Sequence, residues 1–171
     1  EKIRLAFNDN LFRLYFQPIL NINTRRVCHY EVLLRMQMTN GEIILPGDFI
    51  PVAERTGLIW SIDKWVLTRT MEYLAQYNNA SPDQPISLAV NISAPTIQSP
   101  DFVSLFLTLC ASHHIKPEQL IIEITETAFL EDFESALNIL RTLAEHGCKI
   151  ALDDFGVGFS SFSYLKQMPL T

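Results

Sequence analysis

"KIALDDFGVGFSS", residues 149–161, decides how this chain of 171 residues is read. A short apolar run ends in two adjacent carboxylates, Asp153 and Asp154, and two spaced glycines follow. Similar short runs recur along the chain and alternate with longer amphipathic segments, the order expected of an α/β domain. Strands are expected at residues 13–17, 27–35, 86–93, 120–125 and 149–153. The first two are close enough to pair as a hairpin through "NINTRR", residues 21–26.

Helical spacing fills the gaps between the later strands. Asp48 is placed to cap a short helix that ends before Gly57. Ile62, Trp65, Val66, Tyr73, Leu74 and Tyr77 stripe one face of a longer helix. A third, from about residue 101 to 113, turns Phe102, Phe106, Leu109 and Cys110 inward, and a fourth, from about 132 to 146, stops at Gly147. These aromatic stripes read as core packing.

Composition narrows the class. Hydrophobic residues make up 48% of the chain against 19% charged, enough apolar mass for one domain with a real core. The N-terminus "EKIRLAFNDN" lacks the apolar run of a secretory signal, so a soluble, cytoplasmic domain is expected, whether or not a parent protein is anchored to a membrane elsewhere. A net charge of -6 and no basic stripe argue against a DNA or RNA polymer as partner. Cys28, Cys110 and Cys148 are odd in number and far apart, which predicts reduced packing thiols rather than disulfides or zinc ligands. The four histidines have no metal-ligand spacing, and no serine or cysteine sits on a strand-to-helix elbow.

Side chains alternate faces along a strand, so each run divides into two lists. His29, Glu31, Leu33 and Arg35 share a face, as do Ser87, Ala89, Asn91 and Ser93, opposite Ile86, Leu88, Val90 and Ile92. Ile121, Glu123 and Thr125 form the third polar face, and Lys149, Ala151 and Asp153 the fourth. A carboxylate or amide thus lies near the C-terminal end of each strand. Taken singly, each reads as a turn or helix cap. Parallel strands closed into a barrel bring these ends together, and active sites in such folds sit there. Clustered carboxylates repel unless protonated or bridged by a cation, and oxygen-only ligands suit Mg²⁺ or Mn²⁺ rather than zinc. Adjacent aspartates can serve two ions, which clamp a phosphoryl group and activate water.

The ordered stretches "YFQPIL", "EVLLR", "FIPVAERTGLIWSIDKWVL", "LAVNIS", "EITET" and "DDFGVGFSSFSYL" resemble the EAL-domain family of bacterial cyclic di-GMP phosphodiesterases along essentially the whole chain. The resemblance implies a modified TIM (β/α)8 barrel whose first strand is antiparallel, with about five of the eight strands inside residues 1–171. It implies hydrolysis of cyclic di-GMP to linear pGpG at a two-metal site holding Mg²⁺ or Mn²⁺. Glu31, Asn91, Glu123 and Asp153 resemble metal ligands, and Asp154 the aspartate of the second metal. Gln17 and Arg35 resemble substrate contacts, and Glu126 the glutamate that shapes the loop "DDFGVGFSS". Val32 stands in place of the signature alanine, on the face turned toward the helices.

Family members carry a catalytic lysine, a further glutamate ligand and a late glutamine beyond the position of Thr171, and Lys166 does not match that lysine. The isolated chain is therefore expected to turn over little substrate, and a larger parent or a second chain is expected to complete the barrel. Homodimers and flanking sensor or GGDEF-type domains occur in such proteins. The alternative reading is an EAL-fold module that binds cyclic di-GMP or a protein without hydrolysis.

Overall fold

The computed structural model describes residues 1–126, 132–154 and 166–171. Helix α1 (Lys2–Asn8) leads into a long hairpin of β1 (Phe12–Leu20) and β2 (Val27–Gln37). The Asn21 side chain organises the turn by accepting the backbone N–H groups of Asn23 and Thr24 at 3.0 and 2.9 Å. A short strand, β3 (Ile43–Ile44), pairs with the far end of β2. Helices α2 (Pro46–Arg55) and α3 (Ile59–Ala80) follow, then β4 (Leu88–Asn91), α4 (Ala94–Ile97), α5 (Asp101–His113) and a 3-10 turn at Pro117–Gln119. Strand β5 (Leu120–Thr125), helix α6 (Phe133–Glu145) and strand β6 (Lys149–Asp153) complete the described elements.

The sheet runs β1-β2-β4-β5-β6, with β3 on β2 off this path. β1 is antiparallel to β2, and the pairs β2–β4, β4–β5 and β5–β6 are all parallel. The α/β class, the mostly parallel sheet and the antiparallel first strand are thus as expected. Parallel strands need crossovers, and the amphipathic segments between β2, β4, β5 and β6 supply them. Val32, Leu34, Leu88, Val90, Leu120, Ile122, Ile124 and Ile150 join the helical residues Leu67, Met71, Leu74, Phe102, Phe106 and Leu140 in one buried cluster. Each such side chain contributes about 1.5–3 kcal/mol when fully buried. This apolar layer fixes the phase of β2, β4, β5 and β6, and so forces their alternate residues onto the opposite face.

Several boundaries differ from expectation. β2 continues to Gln37 because β1 and β3 both pair with its second half. β4 is shorter than residues 86–93: it ends at Asn91, and Ser93 becomes the N-cap of α4. Asp48 does not cap α2; it lies in the first turn, after Leu45 and Pro46, where its charge still favours the helix N-terminus. Tyr73 is not core but half exposed, its ring edge-on to Phe16 with centroids 5.5 Å apart. Cys28 is exposed rather than packed, whereas Cys110 and Cys148 are buried. Burial pushes the Cys110 and Cys148 thiols up to about 11 and about 12, so both stay protonated.

Other local signals are met. Asp132 caps α6 by accepting the Ser135 N–H, and Gly147 takes φ +95° just after that helix ends. The Thr171 N–H donates to the Ile150 carbonyl at 3.1 Å, which sets the segment 166–171 against β6. Among the described residues, no helix is long and apolar enough to cross a membrane.

Candidate functional site

Strand pairing decides which polar residues meet. Gln17 lies opposite Glu31, Glu31 pairs with Ala89, Asn91 with Glu123, and Thr125 with Asp153. The candidate positions therefore climb along the sheet: Asn91 and Glu123 are level, Glu31 lies one step of two residues below, and Asp153 one step above. Each step is about 6–7 Å of strand rise, the stagger of a sheet that curls toward a barrel. Glu31 is thus mid-strand in β2 rather than at its C-terminal end, because β2 runs on to Gln37.

Side-chain reach closes part of this stagger. Asn91 Nδ2 donates to Glu31 Oε1 at 3.0 Å, which joins β4 to β2 on the polar face. Burial pushes the Glu123 carboxyl up to about 7, and the charges of Glu31 and Asp153 push it the same way. Glu123 therefore feels both acids, Asp153 from the adjacent strand β6 and Glu31 from β2, two strands away. Asp153 is exposed at the end of β6, and its Oδ1 accepts the Asp154 N–H at 2.8 Å. Asp154 takes φ +53°, a left-handed conformation that costs a non-glycine residue about 1–2 kcal/mol.

The remaining predicted residues surround this face. Arg35 is half-buried, its Nη1 donating to the Leu34 carbonyl at 2.7 Å, with the guanidinium carbon 6.0 Å from the centre of the Tyr15 ring. Gln17 is exposed in β1. Glu126 is buried directly after β5. The loop it was expected to shape, residues 155–161, lies outside the described residues. A cleft of about 530 Å³ opens beside this face, lined in part by Arg35, Pro46, Glu54, Asn91 and Thr125.

The donor set is all oxygen: three carboxylates and an amide, with Asp154 adjoining. Like charges held against a partly desolvated Glu123 are the condition that a divalent cation relieves, so the chemistry fits a hard ion such as Mg²⁺ or Mn²⁺. Among the described residues, no three His, Cys, Asp or Glu side chains are drawn together closely enough to form a metal-holding group. Glu31, Asn91, Glu123 and Asp153 are the residues that would hold such an ion.

One residue at this site has no counterpart among the sequence-based candidates. Asp63, in α3, is only 6% exposed, and its Oδ2 accepts both the Ser93 N–H at 3.1 Å and the Ser93 hydroxyl at 2.5 Å. Burial pushes its carboxyl up to about 6, against the hydrogen bonds from Ser93 and Thr96 and with the nearby Glu54 charge. Ser93 consequently turns toward the helices and leaves the face it was expected to share with Asn91. An acid in the middle of an apolar helical stripe was the one available signal.

The EAL domain family model matches residues 1–171. A cyclic di-GMP phosphodiesterase of Escherichia coli K12, PdeF, is 36% identical over 167 residues, covering 98% of this chain and 22% of that protein. The solved structure of the PaMucR phosphodiesterase in complex with c-di-GMP superposes with a TM-score of 0.93 at 32% identity, covering 99% of this chain and 68% of that one. The FimX EAL domain from Pseudomonas aeruginosa bound to c-di-GMP superposes with a TM-score of 0.87 at 28% identity, covering 99% and 67%. The chain spans about a fifth to a quarter of the length of the curated relatives it matches.

Proposed function

The chain belongs to the EAL domain family, and on that premise we propose that it forms the metal-binding side of a cyclic di-GMP phosphodiesterase that releases linear pGpG. The observation that carries this reading is the joining of Glu31, Asn91, Glu123 and Asp153 across four neighbouring strands, by a hydrogen bond and by mutual charge. A net charge of -6 disfavours the approach of a doubly anionic dinucleotide, and cations held by these acids would offset that repulsion at this face.

Two Mg²⁺ or Mn²⁺ ions, when bound, would polarise a water for in-line attack and neutralise charge on the phosphodiester. The chain's own residues have separable tasks. Asn91 fixes the Glu31 carboxylate in one orientation through its amide. Glu123 and Asp153 would supply further oxygens to a bound ion, and Asp154, in its left-handed turn, would serve the second. The planar guanidinium of Arg35, steadied over Tyr15, pairs with phosphate oxygens, and Gln17 on β1 contacts the ligand from the hairpin side. Glu126, buried at the end of β5, braces the loop after the aspartate pair. The departing oxygen takes its proton from solvent.

The test is incubation of a chain extended past Thr171 through the remaining strands with cyclic di-GMP, with and without Mg²⁺ or Mn²⁺. Metal-dependent appearance of pGpG supports the enzymatic reading. Tight binding of cyclic di-GMP with no pGpG under either metal would mark a receptor of the same fold and overturn it.

A further inference from the structure

The turn that follows Asn91 is anchored from two directions. On one side the Ile92 N–H donates to the Glu123 carbonyl at 2.9 Å, continuing the parallel ladder one residue past β4. On the other, Ser93 gives both its N–H and its hydroxyl to Asp63 Oδ2, across thirty residues of sequence and from the helical layer. Ser93 is the N-cap of α4, yet its side chain makes no cap hydrogen bond to that helix. Its hydroxyl points to Asp63 instead, with Thr96 Oγ1 3.1 Å away.

Burying a carboxylate among Ile62, Val66 and Ile59 is costly, and a backbone turn of this length needs no charged partner to form. What the contact does fix is the direction in which the chain leaves Asn91. We propose that Asp63 is a positioning residue which, acting through Ser93, holds Asn91 in the orientation that orders Glu31 and sets the site's affinity for a divalent cation. This rests on the metal-binding reading of Asn91 and Glu31 given above. Asp63 touches neither residue directly; the relay runs from Asp63 to the Ser93 backbone, through Ile92, to the Asn91 amide and the Glu31 carboxylate. Outer groups that orient metal ligands in this way typically change metal affinity by about 10- to 100-fold when removed.

The experiment titrates Mn²⁺ alone into the chain and its variants, by calorimetry and by the electron paramagnetic resonance signal of the bound ion. Asp63→Ala is expected to lower Mn²⁺ affinity by about 10- to 100-fold and to broaden the bound signal. Asp63→Asn keeps an accepting oxygen for Ser93 and is expected to restore most of the affinity. Ser93→Ala deletes only the hydroxyl and carries the test should Asp63→Ala not fold, with a loss of about tenfold expected. Unchanged affinity and signal in folded Asp63→Ala, or in Ser93→Ala where the former does not fold, would overturn the proposal and leave Asp63 a structural tether. Asn91→Ala separates the two levels. If it loses affinity while the Asp63 and Ser93 variants do not, only the positioning role fails. If it binds Mn²⁺ like the parent, the metal-binding reading of Asn91 fails, and this proposal with it.

Discussion

Asn91 donates its side-chain amide to the Glu31 carboxylate across 3.0 Å, although the two lie sixty residues apart and on different strands. Asn91 is exposed and Glu31 half-buried, so the contact contributes little to folding. In the proposed function its value is orientation. Asn91→Ala should therefore change the melting temperature by no more than a degree or two, while weakening Mg²⁺ or Mn²⁺ binding by tenfold or more, by analogy with the loss of ligand-orienting groups. Thermal melts with and without metal report both quantities on one sample.

Glu123 sits where burial and two neighbouring acids disfavour its charge, which is stored strain of the kind functional sites carry. Glu123→Gln removes the charge and keeps the shape. The variant should be as stable as the parent or more so in a metal chelator at pH 8, yet lose the stabilisation that divalent cations give. A Gln variant that is clearly less stable without metal would assign Glu123 to the structural framework instead.

Asp63 gives the fold a pH dependence of a defined sign. Its folded value of about 6 lies above the ordinary carboxylate value of 3.8, so the folded chain holds this proton more tightly than the unfolded one. The stability so conferred is complete below the unfolded value and is lost as pH rises through about 6. Relative to Asp63→Asn, the parent should lose on the order of 3 kcal/mol between pH 4 and 7, from a shift of about two units. Urea denaturation of both proteins at several pH values measures the gap, which stays constant if Asp63 ionises as an ordinary surface acid.

Gly147 ends α6 at φ +95°, and a Cβ there would lie 2.9 Å from the Glu118 carboxylate oxygen. Gly147→Ala combines left-handed strain with that close approach. A loss of about 1–2 kcal/mol in unfolding free energy is expected from the strain alone, with divalent cation affinity unchanged because the site lies at the other end of β6. Chemical denaturation alongside a Mn²⁺ titration checks both halves.

The strand phases were readable because a two-residue period leaves one assignment: once Leu88 and Val90 pack against helices, Ala89 and Asn91 must face the other way. The antiparallel hairpin was readable from the Asn-rich turn at residues 21–26. What was not readable depended on partners distant in sequence. Glu31 is mid-strand because β1 and β3 extend the pairing of β2, and nothing local to Glu31 reports that. Ser93 leaves the strand face because Asp63 takes it, and alternation alone carried the expected strand two residues too far. Tyr73 followed the helical stripe of Leu74 and Tyr77, but Phe16 on the edge strand β1 meets it outside the core. The loop at residues 155–161, which Glu126 was expected to shape, lies outside the described residues.

The central claim is that Asp153, with Glu31, Asn91 and Glu123, forms the metal site at which cyclic di-GMP is cleaved. The most direct measurement is pGpG release from cyclic di-GMP in Mg²⁺ by a chain extended through the remaining strands, compared with its Asp153→Asn variant, both verified as folded by circular dichroism. The account predicts sustained pGpG from the parent and a loss of at least a thousandfold from the variant, on the order of 4 kcal/mol of transition-state stabilisation. Equal rates from the two proteins would contradict it.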